Sequence, residues 1–98
     1  MTEPKLRPPG SVERYREHKG SMGSTLLLMR LGDFYEAFDE DARTLSRVLR
    51  LTLTTRSMGE VAPVPLAGIP YHSLSRALTV LNDAGYRVEV YEPKGGER

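Results

Sequence analysis

Thr25-Leu26-Leu27-Leu28-Met29-Arg30-Leu31-Gly32-Asp33-Phe34-Tyr35-Glu36-Ala37-Phe38 sets the frame for the rest of the chain. Thr25–Leu31 is a nearly continuous apolar run without helical spacing, which predicts a strand covered on both faces. Gly32-Asp33 supplies a turn. Phe34–Phe38 then continues in an extended or hairpin conformation, with Phe34 and Glu36 on one side and Tyr35 on the other.

Downstream of this stretch, Asp39–Arg50 is the clearest helix. Asp39, Glu40 and Asp41 at its start and Arg47 and Arg50 at its end complement the macrodipole. Ala42, Leu45, Val48 and Leu49 form its apolar stripe. Leu51-Thr52-Leu53-Thr54-Thr55-Arg56 alternates with period two and reads as a strand with one solvated face, followed by a loop, Ser57–Ala62. In Pro63-Val64-Pro65-Leu66 the two prolines lack N–H groups on the same edge, which predicts an edge strand. Ser73 is placed to cap a helix with the stripe Leu74, Ala77, Leu78 and Leu81, ended by Gly85. Tyr86–Glu92 is the last strand, with Val88 and Val90 inward. Pro93 and Gly95-Gly96 stop it.

Upstream, Ser11 is placed to cap a short helix, Val12–Lys19, broken by Gly20-Ser21-Met22-Gly23. Residues 1–10 carry three prolines and little to bury. They and residues 93–98 are expected to be flexible tails around one domain over 11–92. The order βαββαβ, after a leading helix, predicts a small mixed sheet with helices packed on it, class α/β (mixed).

Composition sets the limits on function. The chain has 98 residues, 39% hydrophobic and 28% charged, which suits one modest soluble core. It has no cysteine, which excludes disulfides, thiolate nucleophiles, zinc fingers and iron–sulfur clusters and accords with a reducing, cytoplasmic setting. The longest apolar run, Leu26–Met29, is far short of a membrane span, and no signal-like segment opens the chain. Fourteen basic residues against thirteen acidic ones leave a net charge of +1. Strong phosphate binders are usually more basic, so charge alone names no nucleic-acid partner.

Catalytic signals are poor. His18 and His72 read as solvated or capping histidines, and without cysteine or a His-x-x-x-His pair no metal site is expected. Gly20-Ser21-Met22-Gly23-Ser24-Thr25 has the look of a phosphate cradle, but it lacks the lysine and precedes a strand. Asp33, Glu36, Asp39, Glu40 and Asp41 are dense, yet three of them suit a helix N-terminus and no nearby His or Lys pairs with them. Arg43, Arg47 and Arg50 share a helix face, a stripe able to touch phosphates but more simply a solvated, locally paired surface. The most telling pair is Phe34 and Glu36. An aromatic wedge beside a carboxyl can stack into a nucleic acid and hydrogen-bond the base it meets. The plain alternative is a core phenylalanine.

Met29-Arg30-Leu31-Gly32-Asp33-Phe34-Tyr35-Glu36-Ala37-Phe38, Asp41-Ala42, Leu51-Thr52-Leu53-Thr54-Thr55-Arg56 and Pro65-Leu66-Ala67-Gly68-Ile69-Pro70-Tyr71-His72 together resemble the N-terminal mismatch-recognition domain of the DNA mismatch-repair protein MutS. The motifs occur in family order and cover about residues 12–92. The resemblance implies a small mixed α/β fold. It also implies that Phe34 and Glu36 match the pair that probes a mispaired base, the Phe stacking from the minor groove and the Glu hydrogen-bonding. Arg56 stands where the family is basic, Pro65-Leu66 in the loop that approaches the minor groove, and Arg76 is a further candidate for a phosphate contact.

The resulting expectation is a free-standing DNA-binding domain linked to mismatch repair, with no enzyme activity and no cofactor. Its partners would be double-stranded DNA, mismatched included, and other mismatch-repair proteins, with no membrane. The alternative is a protein-interaction module that keeps the fold and docks onto a repair or replication factor without binding DNA.

Overall fold

A computed structural model describes residues 10–58 and 61–93. Apart from Gly10 and Pro93, the two expected tails lie outside the described residues, as does part of the expected loop Ser57–Ala62, residues 59–60. The elements run α1 (Ser11–Lys19), β1 (Leu26–Leu31), β2 (Phe34–Phe38), α2 (Asp39–Leu49), β3 (Thr54–Met58), β4 (Val61–Pro70), a 3-10 turn (Tyr71–Ser73), α3 (Leu74–Asp83) and β5 (Val88–Tyr91). The strands form a five-stranded sheet in the order β3-β4-β2-β1-β5. β5 runs parallel to β1, and the other neighbours are antiparallel. The α/β class with a mixed sheet is therefore as expected, with one strand more than βαββαβ provides.

The extra strand comes from the turn. Gly32 takes φ +60, a left-handed conformation open to glycine at little cost. β1 and β2 then close as a hairpin with Leu31 opposite Phe34 and Met29 opposite Glu36. Register assigns the faces. Leu27, Met29, Leu31, Phe34, Glu36 and Phe38 share one face with Val64, Leu66, Gly68 and Pro70 of β4. Tyr15 of α1 meets Phe38 edge-on at 5.0 Å between ring centroids, so α1 lies on this face. The opposite face presents Leu26, Leu28, Ala37, Ala67 and Ile69, all buried. The parallel crossovers β2–α2–β3 and β4–α3–β5, both right-handed by the general rule, put α2 and α3 over it. Their buried residues are Ala42 and Leu45 on α2 and Ala77 and Leu81 on α3, while Val48, Leu49 and Leu74 are partly buried against the core.

β4 is not the edge strand that its prolines suggest. It lies between β3 and β2. The β2 register ends at Phe38 opposite Leu66, whereas the β3 register runs from Leu66 back to Val61. Pro63 and Pro65 thus occupy the half of β4 that extends past β2, where one side needs no donors. The edge rule holds locally, within a strand that is central elsewhere.

Other boundaries move for local reasons. The strand expected at Leu51–Arg56 begins only at Thr54 and continues to Met58, with a register shift between Arg56 and Met58. Leu51 is held instead against the end of α2, its N–H donating to the Ser46 carbonyl. Ser57 and Ala62 belong to strands rather than a loop. Gly10, at φ 80, takes the N-cap position expected of Ser11, which is the first residue of α1. Ser73 holds the N-cap position of α3 without a side-chain capping bond. Arg50 ends α2 in a left-handed conformation, and Gly85 at φ +97 follows α3. The last strand shortens from Tyr86–Glu92 to Val88–Tyr91. Among the described residues no helix is long and apolar enough to cross a membrane.

Candidate nucleic-acid interface

Phe34 is the first residue of β2, half-buried, directly after the Gly32-Asp33 turn. That turn is clamped at two carbonyls. Arg30 Nε donates to Gly32 O at 2.6 Å, and the Tyr71 N–H donates to Asp33 O at 2.8 Å. Arg30 is itself held, its guanidinium 4.7 Å from the Tyr71 ring centroid and 5.4 Å from that of Tyr35. The Tyr35 hydroxyl donates to Glu92 at 2.5 Å. Burial first, then the Glu92 bond, pushes the Tyr35 hydroxyl pKa above its ordinary value. These contacts lie on the opposite face of the hairpin from Phe34 and brace it from behind. A partly exposed ring at the end of a braced strand loses little freedom when it stacks.

Glu36 is two residues further along the same face, opposite Gly68, and only 1% exposed. A base reaches its carboxyl only after the surface around it opens. Leu66, opposite Phe38, is core at 3% exposure. Pro65, opposite Thr55, turns to the other face and is half-buried. Arg56 is exposed on the edge strand β3, opposite Val64 and so on the Phe34 face. Arg76 is exposed on α3, across the sheet. Phe34, Glu36 and Arg56 therefore share one face, whereas Pro65 and Arg76 belong to the other.

Several of the remaining charged groups are paired within the domain. Arg16 grips Asp39 with two bonds of 2.8 Å, and Asp39 takes φ 60 at the β2–α2 junction. His18, expected to be solvated, stacks on Tyr91 with centroids 4.1 Å apart and bonds to Glu89 at 2.9 Å. Arg43 is 3.7 Å from Glu40, and Arg47 donates to the Tyr86 hydroxyl. The glycine-rich segment after α1 covers a helix C-terminus, with Gly20 as the C-cap, so it presents carbonyls rather than a phosphate cradle. Among the described residues no group of three or more His, Asp or Glu side chains is arranged to hold a metal ion. Arg30, Gly68 and the Tyr71 N–H are site supports that the sequence reading did not single out. Their only early signal was that they fall inside the quoted motifs.

Residues 9–97 match the family model described as MutS domain I. The chain is 46% identical over 80 residues to the DNA mismatch repair protein MutS of Dehalococcoides mccartyi (strain CBDB1), covering 82% of this chain and 9% of that protein. It is 40% identical over 92 residues to the MutS of Streptococcus mutans serotype c, covering 94% and 11% respectively. It is 48% identical over 79 residues to the MutS of Thermotoga neapolitana, covering 81% and 9%. The chain thus spans about a tenth of the length of these curated relatives.

Proposed function

The chain belongs to the MutS domain I family, and from that premise we propose that it binds double-stranded DNA, preferring mispaired steps, through Phe34 and Glu36. Its role is recognition within mismatch repair, without a reaction or cofactor of its own. The observation that carries this reading is the partly exposed Phe34 on a hairpin braced by Arg30 and Tyr71, with Glu36 on the same face. A mismatched step unstacks and bends more cheaply than a paired one, so a ring entering from the minor groove is accommodated there preferentially. Stacking supplies ~1–3 kcal/mol. Glu36 hydrogen-bonds the displaced base once its cover opens, and Arg56 provides a phosphate contact on the same face.

With a net charge of +1, the electrostatic part of binding is modest. Linked sites raise avidity by ~10²–10⁴, so the domain alone binds far more weakly than it would as part of an assembly with other mismatch-repair proteins. The test is a titration of matched and single-mismatch duplexes at low and moderate salt with the parent chain and Phe34→Ala. Tighter binding of the mismatched duplex, lost in a folded Phe34→Ala, is the expected result. Equal, unchanged binding by parent and variant would instead favour docking onto a repair or replication protein.

A further inference from the structure

Gly68 is paired with Glu36 across β2 and β4, in a row where Val64, Leu66 and Pro70 all carry side chains on the same face. A Cβ at Gly68 would lie 2.9 Å from Glu36 Cγ and 3.0 Å from the Tyr35 carbonyl oxygen. The first of these is shorter than real Cβ contacts allow. Cγ is one bond beyond Cβ and yields only through χ1 or a shift of the strand itself, so a methyl group at Gly68 would press directly on the Glu36 rotamer. Gly68 does not occupy the left-handed region, in contrast to Gly32 and Gly85. What it contributes is room, the close approach for which a glycine inside a strand is suited.

We propose that Gly68 is a positioning residue for Glu36: the gap it leaves in β4 is the slot in which the Glu36 side chain lies, and this fixes where the carboxyl meets a mispaired base. The consequence for base recognition rests on the DNA-binding reading above. The contact itself rests on register and distance alone.

The test is a double-mutant cycle in the 98-residue chain with Gly68→Ala, Glu36→Ala and the two combined. Gly68→Ala is expected to lower the mismatched-to-matched affinity ratio about tenfold, the scale of one hydrogen bond to a charged group. Glu36→Ala is expected to do the same, and the pair to do no more than either alone. A ratio untouched by Gly68→Ala, or lowered by the same factor whether or not Glu36 is present, overturns the proposal. The Hα–Hβ couplings of Glu36, which report χ1, give a reading independent of DNA. They change in Gly68→Ala if the slot sets the rotamer, and unchanged couplings overturn it. A parent chain with no mismatch preference but altered couplings in Gly68→Ala would remove the DNA-binding reading and leave the contact standing. If Gly68→Ala fails to fold, recovery of folding in the double variant supports the Glu36 contact. Failure of both variants assigns the glycine to the Tyr35 carbonyl and overturns the proposal.

Discussion

Leu27 donates its backbone N–H to the Asp41 carboxylate at 3.0 Å. The β1–β2 register ends at Met29 opposite Glu36, so the first part of β1 has no strand on that side. Asp41 stands in for it from the first turn of α2. The same oxygen lies 3.2 Å from the Tyr15 hydroxyl and 2.9 Å from Lys19 Nζ, so one carboxylate joins α1, β1 and α2. Removing it strands a Leu27 N–H on a residue with 0% exposure, which costs ~1–3 kcal/mol, and leaves Lys19 with only its bond to the Thr25 carbonyl. Asp41→Ala is expected to lower the urea midpoint by a matching amount at constant m, with Asp41→Asn losing less because its amide oxygen still accepts one bond.

Tyr15 makes this junction sensitive to alkali. Its hydroxyl donates to the Leu27 carbonyl at 2.7 Å, and burial, then the Asp41 charge, holds its pKa well above the ordinary tyrosine value. A group whose folded pKa is raised stabilises fully below its unfolded value, about 10, and loses that stabilisation as pH climbs beyond it. Unfolding free energy of the parent chain should therefore fall above pH ~10, by up to about 1.4 kcal/mol per pH unit for this group. Tyr15→Phe is expected to be ~1 kcal/mol less stable at neutral pH and to show a shallower alkaline slope. Tyr35, raised in the same direction, keeps stability falling with pH in the variant as well.

Leu45 is the natural probe of the α2 packing. It has 0% exposure and sits in the stripe that faces the sheet. Leu45→Ala should cost ~2–5 kcal/mol, a large share of the stability of so small a domain. A loss under about 0.5 kcal/mol, the range of ordinary surface changes, would mean that the helix face is assigned wrongly.

β1, α2 and α3 were legible because their signals are local: an unbroken apolar run at Leu26–Met29, and 3.6-residue stripes through Leu45 and Leu81. The place of β4 was not legible. The missing donors of Pro63 and Pro65 are a local fact, but which strand lies beside each half of β4 depends on pairing with Phe38 and Thr54, far away in sequence. Asp41 looked like an acid placed for a helix dipole, and its role as a surrogate strand acceptor appears only when β1 runs past it. For the site, Phe34 and Glu36 stood out from their motif. The burial of Glu36, the slot at Gly68 and the Arg30–Tyr71 brace arise from tertiary proximity, which no spacing encodes.

Arg56 and Arg76 separate the two faces of the domain. If Arg56 touches phosphate, Arg56→Ala should weaken binding about equally for matched and mismatched duplexes and reduce the slope of log affinity against log salt by ~1. Arg76 lies across the sheet, so a duplex seated on Phe34 must wrap around the hairpin end to meet it. Arg76→Ala is expected to change the slope less than Arg56→Ala. Equal changes would show that the duplex reaches both faces.

Phe34 and Glu36 carry the decisive pair of substitutions. Phe34 is half-buried beside Leu31 and Pro70, so truncating it removes some packing but far less than the ~3–5 kcal/mol of a fully buried phenylalanine. As a wedge, it should instead lose ~1–3 kcal/mol of mismatch binding on Phe34→Ala, with matched duplexes little affected. Glu36→Gln keeps the shape and removes the anion. It should tighten binding to every duplex by relieving repulsion from phosphates while narrowing the gap between mismatched and matched DNA. The two variants thus move overall affinity in opposite directions and discrimination in the same direction, a pattern that general destabilisation cannot produce. Thermal melts run alongside the titrations confirm that each variant is folded. If both are folded and bind DNA as the parent does, the Phe34 face is not the DNA-binding surface, and docking onto a repair or replication protein takes its place.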